Sequence, residues 1–193
     1  MKVPLRFQVT EYDCATTTLQ NAISFLFERE EIPAEIVRTI SLYTLDCYDK
    51  EGDIGEGGTS KAAMALMSSW IKNYANSHNF ALKSEHYLNE EVNIDIITKC
   101  LKKNGCVVLR TYQNCEHYCL ITGIDNDFVY LWDPYYIEEK YYDTDKLIEV
   151  VFDELFKFNR KVAMSRFLSS THNDFALGPI KNRECLCLYT KER

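Results

Sequence analysis

Apolar side chains recur three and four residues apart over residues 14–28, where Leu19, Ala22, Ile23, Leu26 and Phe27 fall on one face of a helix. The same period returns in "KAAMALMSSWIKNYA": Ala63, Met64, Met67, Trp70, Ile71 and Tyr74 form the stripe. Thr59 or Ser60 just ahead is a natural N-cap, because its hydroxyl can accept from an unpaired first-turn N–H. "AEIVRTISLYTL" follows Pro33, which suits a helix start, and "EVNIDIITKCLKK" runs into Asn104 and Gly105, residue types that end helices.

Beyond residue 105 the pattern shortens to strands. "CVVLRTY", "HYCLITGI" and "FVYLWD" are β-branched and aromatic runs, and the turn signal "DND" at 125–127 separates the last two. "DTDKLIEVVFDELFKF" reads as one more amphipathic helix, and "ECLCLYT" as a final strand. A helical first half followed by an antiparallel sheet is an α+β architecture, with a site expected where the halves meet.

At 193 residues the chain has the length of one domain, here residues 1–193, with a substantial core. A formal net charge of −7 disfavours nucleic acid as a partner, since such binders carry a clustered basic face. The N-terminus lacks the apolar stretch of a signal peptide and no later run approaches a membrane span, so a cytoplasmic protein is expected. Its eight cysteines are then expected as thiols, six or seven of them serving as small core residues. "KEGDIGEGGTS", residues 50–60, holds four of the seven glycines. It is a loop that lacks the lysine-serine/threonine ending of a phosphate loop, and a flap beside a cleft is the alternative.

Cys14 opens the first helix, where unpaired N–H groups and the helix dipole favour a thiolate. An activated thiol needs a base, and four histidines are available. His78, His86 and His172 stand in polar surroundings typical of exposed loops, whereas His117 opens a strand that could aim its ring across an interface. The hairpin turning at 125–127 returns Asp133 beside His117, in place to accept the second ring N–H. Gln8 lies six positions before Cys14, a side-chain amide suited to a developing oxyanion. Each residue has a bland reading as well: a half-buried structural histidine, and an aspartate that merely turns the chain before Pro134. Trp132, Tyr135, Tyr136, Tyr141 and Tyr142 follow the packing expectation for aromatics more readily than that of a substrate wall.

"QVTEYDC", "HYCLITGIDNDFVYLWDPY" and, more weakly, "GGTS" before a helix resemble the papain-like cysteine peptidases. The resemblance is nearest to the bacteriocin-processing peptidase family that removes double-glycine leaders. These motifs span residues 8–135. The resemblance implies a papain-like fold, a helical lobe packed on an antiparallel sheet, and a peptide or amide substrate. It implies Cys14 as nucleophile, His117 as base and then acid, Asp133 as its orienting partner and Gln8 as oxyanion donor, with no cofactor or metal. Where that family usually has glycine after the cysteine, this chain has Ala15.

Three rivals stay open. Cys115, His117 and Cys119 alternate along one strand face and zinc accepts both ligand types, but alternate strand residues stand roughly 6.6 Å apart and converge poorly on one ion. Acyl transfer or amide formation would use the same residues as hydrolysis. A non-catalytic peptide-binding module would keep the fold alone. Oligomeric state is not legible from the pattern.

Overall fold

A computed structural model describes residues 1–190. Helices α1 (Cys14–Leu26), α2 (Ala34–Tyr43) and α3 (Lys61–Ser77) come first. Strand β1 (Leu82–Leu88) and helix α4 (Ile94–Leu101) precede β2 (Cys106–Gln113), β3 (Cys115–Ile124) and β4 (Phe128–Trp132). The chain ends on β5 (Ile148–Val150), β6 (Arg160–Ala163), the short helix α5 (Met164–Phe167) and β7 (Glu184–Thr190). The helix boundaries have local causes. Ser60 Oγ accepts from the Ala63 N–H at 3.0 Å, and the Asn93 side chain accepts from Asp95 and Ile96. After α4, Asn104 takes the left-handed conformation with φ of 54°. Gly105 follows because a Cβ there would come within 2.6 Å of the Leu188 carbonyl.

The described strands form one seven-stranded sheet in the order β1-β7-β2-β3-β4-β6-β5, antiparallel throughout. Its two faces alternate along each strand. Val108, Tyr118, Leu120, Leu186 and Leu188 face a core shared with Leu19 and Ile23 of α1 and Met64 and Met67 of α3. Val107, Leu109, Cys119, Ile121 and Cys187 face a second core, closed by Ile97 of α4, Phe167 and Phe175. Helices therefore cover both faces, and α4 lies opposite α1. This α+β, papain-like arrangement agrees with the class expected from sequence.

Two elements differ from expectation. Residues 143–158 are not a helix. Ile148–Val150 pairs with β6, and the chain from 151 to 158 runs in turns that leave Phe152, Leu155 and Phe156 more than 40% exposed. Pairing decides the matter: β5 bonds to β6, the Val151 N–H reaches the Asn159 carbonyl, and the Leu155 carbonyl accepts from the Leu5 N–H at 2.9 Å. Strand β1 was hidden because "LKSEHYL" is polar at alternate positions of an edge strand, with Leu82 and Ser84 turned inward.

All eight cysteines are free thiols; Cys100, Cys106, Cys119, Cys185 and Cys187 are buried, Cys14 and Cys47 are half-buried, and Cys115 is exposed. Fewer serve the core than expected. Among the described residues, no helix is long and apolar enough to cross a membrane.

Candidate active site

Cys14 is the first residue of α1, and the loop before it is wound around Asp13. The Asp13 carboxylate accepts from the Val9 and Thr10 N–H groups at 3.2 and 2.8 Å and from the Thr10 hydroxyl at 2.7 Å. It makes no side-chain cap to the helix N–H groups. The carboxylate is thus held by the loop and by the Thr17 hydroxyl of α1 at 3.2 Å, and the first-turn N–H groups are left to the sulfur. Backbone hydrogen bonding from Tyr118 and Ala15 favours the charged form of Cys14.

Strand β3 brings the base. It pairs with β2 on one side and β4 on the other, and a register shift between Ile121 and Gly123 sets Leu120 opposite Trp132. Asp133, the next residue, then falls beside the start of β3. His117 Nε2 lies 2.8 Å from Asp133 Oδ1, so Nδ1 is the nitrogen that meets the Cys14 thiol. Both His117 and Asp133 are buried, and Cys14 is half-buried at the edge of the cleft.

Asp133 is held on every side. Its Oδ1 also accepts from the Tyr135 N–H at 2.9 Å; its Oδ2 accepts from Arg160 at 3.2 Å and from Gln113 at 3.4 Å. The Asn159 side chain accepts from the Asp133 N–H at 2.7 Å and donates to its carbonyl at 2.8 Å. Asn159, Arg160 and Gln113 were missed in the sequence. Asn159 and Arg160 lie far from the motifs in the chain and are brought in by the bonds between β4 and β6, whereas Gln113 stands four residues before His117 at the end of β2.

These contacts set the protonation states. Burial opposes a charged Cys14, but the hydrogen bond and positive charge of His117, with the two backbone N–H groups, outweigh it and hold the thiol below its ordinary value. Burial likewise opposes the His117 imidazolium, and hydrogen bonds to Asp133 and Cys14 overcome it, pushing the ring up to about 10. Asp133 is lowered, again against burial, by His117 and then Arg160. Cys47, Cys100, Cys106, Cys115, Cys119 and Cys187 all move the other way, raised by burial and neighbouring anions or thiols. Such an arrangement can supply a thiolate nucleophile with its proton parked on the adjacent ring.

Gln8 is fixed by its backbone, whose N–H reaches the Pro134 carbonyl at 2.8 Å. Its Nε2 donates to the Thr10 carbonyl at 2.7 Å, and its buried Oε1 has no partner among the described residues. An amide nitrogen carries two hydrogens, so one donor remains uncommitted.

The cleft at Cys14 has a volume of about 340 Å³ and is bounded by Tyr12, His117, Tyr118, the Arg110–Glu116 ion pair and the glycine-rich loop through Gly57 and Gly58. Gly57 is required by the loop itself, since a Cβ would lie 2.6 Å from the Tyr48 carbonyl. Ala15 is fully buried in the core with Leu19 and Ala22, so its methyl does not narrow the cleft.

The other histidines stand apart. His78 is exposed at the end of α3, and His172 is exposed beside the Tyr112 ring at 4.9 Å. His86 is not on an exposed loop, contrary to expectation. It lies half-buried on β1, its Nε2 2.7 Å from Glu184, which also accepts from the Tyr118 hydroxyl. Among the described residues no group of three or more histidine, cysteine or acidic side chains is arranged to hold a metal. Of the aromatic run, Trp132 and Tyr142 are buried in packing while Tyr136 and Tyr141 are exposed.

Helices packed on an antiparallel sheet define a papain-like class of fold, in which a thiol at a helix start stands beside an imidazole backed by a carboxylate. The chain belongs to the Peptidase_C39 like family, whose model matches residues 1–160. It is similar in structure to a double glycine motif protease from an AMS/PCAT transporter, solved with the leader peptide, at 14% identity and a TM-score of 0.45 over 98% of this chain and 93% of that one. It is also similar to the peptidase domain of Streptococcus ComA, a bi-functional ABC transporter involved in a quorum sensing pathway, at 13% identity, TM-score 0.46, 97% of this chain and 98% of that one. The peptidase domain of Streptococcus mutans ComA gives 12%, 0.41, 96% and 98% in the same terms. No curated protein matches the chain.

Proposed function

We propose that residues 1–193 act as one cysteine peptidase that cleaves a peptide or amide bond through an acyl-enzyme. The Cys14 thiolate attacks the carbonyl carbon, and the oxygen takes up negative charge that Gln8 Nε2 and the Cys14 N–H meet. The His117 imidazolium gives its proton to the departing amine as the C–N bond breaks, leaving a thioester on Cys14. Neutral His117 then takes a proton from water, whose oxygen attacks the thioester and releases the acid and the thiolate. Asp133 keeps the ring in the tautomer and orientation that both steps need.

The observation that carries this reading is the continuous chain from Cys14 to His117 to Asp133, in which Cys14 and His117 border the cleft and the 2.8 Å bond behind them is buried. The test is cleavage of a mixed-sequence peptide library by wild type and Cys14→Ala, read by mass spectrometry. Cleavage products that depend on Cys14 are expected, and a library left intact by wild type across neutral pH would count against the proposal.

A further inference from the structure

Arg160 is a charged side chain in a place that hydrophobic residues normally occupy. It is 1% exposed, at the start of β6, opposite Leu131 of β4 and Val150 of β5. One guanidinium nitrogen, Nη2, donates to Asp133 Oδ2 at 3.2 Å and to the Tyr135 carbonyl at 3.1 Å; Nη1 donates to the Asn159 carbonyl at 2.9 Å. Nε is buried with no partner among the described residues. An incompletely bonded buried cation is costly, and a well-packed apolar pair in place of Arg160 and Asp133 together would usually be neutral or stabilising, whereas removing Arg160 alone would strand a buried carboxylate. Stability alone is a poor account of it.

We propose that Arg160 is a positioning residue that balances the charge of the buried catalytic array, and this rests on the peptidase reading above. Asp133 divides its two oxygens: Oδ1 serves the imidazole and Oδ2 serves the guanidinium. In the reactive state the thiolate, imidazolium, carboxylate and guanidinium cancel, so a low-dielectric site holds a separated charge pair with no net charge. Without the guanidinium the same state leaves one uncompensated negative charge. The array relieves that by taking up a proton, and the proton that costs least to add is on the sulfur.

The other ionisable groups nearby are the Asp13 carboxylate before Cys14, the Tyr118 phenol and Cys119 thiol of β3, the Tyr135 phenol, the Tyr142 phenol, which donates to Asp174, and, around the cleft, Glu11, Glu56, Cys115 and the Arg110–Glu116 pair. Among the described residues none of these donates to Asp133, so the balancing falls to Arg160.

The experiment is the pH dependence of Cys14 alkylation by iodoacetamide, a neutral reagent, followed by peptide mass spectrometry on the full chain. In Arg160→Met the acid limb of the profile should move to higher pH by about one unit, the low end for loss of one nearby charge, while Arg160→Lys stays near wild type. Asp133→Asn removes the opposite charge and should move the limb to lower pH, which keeps the test decisive if Arg160→Met does not fold. A guanidinium that only fills space would lower the folded fraction and leave the limb where it was. Folded variants whose limbs coincide with wild type overturn the inference alone. A wild-type Cys14 no more reactive than Cys115 overturns the peptidase reading and this inference together.

Discussion

His117 and Asp133 share a 2.8 Å bond that solvent does not reach, the carboxylate being fully buried and the ring nearly so. In water such a pair is weakened by competing hydrogen bonds; here burial removes the competitors and three further donors, the Tyr135 N–H, Gln113 and Arg160, fix the carboxylate. Asn159 grips the backbone at Asp133, accepting from its N–H and donating to its carbonyl, so the side chain has little freedom to turn away. Asp133→Asn keeps an oxygen for the ring N–H and loses the charge. The lost difference between a charged and a neutral hydrogen bond is about 1–2 kcal/mol, which lowers kcat/KM about tenfold or somewhat more. Steady-state kinetics on a peptide found by the library test would measure it, and an unchanged rate would remove Asp133 from the mechanism.

Cys14→Ala removes the nucleophile while touching little of the fold. The sulfur sits at the edge of the cleft, and the neighbouring Ala15 and Leu19, not Cys14, carry the buried packing. Turnover should fall by about 10⁶-fold, the size of loss seen when a triad nucleophile is deleted. The melting temperature should barely move. A variant that retained cleavage would show that the activity belongs to another group.

The two shifted pKa values set a window for stability. His117 is raised from 6.5 to about 10, so its contribution to folding is complete below pH 6.5 and is lost as pH climbs through about 10. Asp133 is depressed from 3.8, so its contribution is present above that value and disappears as pH falls through the lowered folded pKa. Between these limits both are present. The Cys14 thiol is lowered from 9.0, so its contribution grows up to that value and offsets the His117 loss between about pH 6.5 and 9; melting temperature in wild type should hold over that range and decline from about pH 9 towards pH 10, whereas His117→Gln should lack that alkaline decline. Parallel melting curves for the two proteins would contradict the assignment of the shift to His117.

Much of the fold was legible because its signals are local. Ser60 and Asn104 sit where capping chemistry puts them, and α1, α3, β2, β3 and β4 follow their periods. The expected hairpin also brought Asp133 to His117. What was not legible depends on pairing across the chain. Residues 148–150 carry a pattern that suits a helix and become a strand because β6 offers a partner. Arg160 and Asn159 could not be connected with Asp133 from spacing alone, since nothing local marks an arginine as buried. His86 reads as polar and exposed until Glu184, on the adjacent strand, supplies its partner. Sequence periodicity reports which way a side chain faces, and says little about which distant polar group waits there.

Gln8 separates an amide that donates to an oxyanion from one that only braces a loop. Its Nε2 already gives one hydrogen to the Thr10 carbonyl, which locks the amide in place and decides which of its ends is nitrogen, because an oxygen there would face another oxygen at 2.7 Å. The remaining hydrogen can contribute only when a negative oxygen develops. Gln8→Ala should therefore lower kcat by about 10²-fold to 10³-fold, with little change in KM, since the interaction strengthens in the transition state and not in the bound substrate. Gln8→Glu, which keeps the size and replaces the donor by an acceptor, should be at least as slow. Alkylation of Cys14 by iodoacetamide should stay close to wild type in the alanine variant, because displacement at a saturated carbon forms no oxyanion. A variant that lost alkylation and cleavage in equal measure would make Gln8 a brace for the 8–13 loop, and the donor would have to be sought among backbone N–H groups.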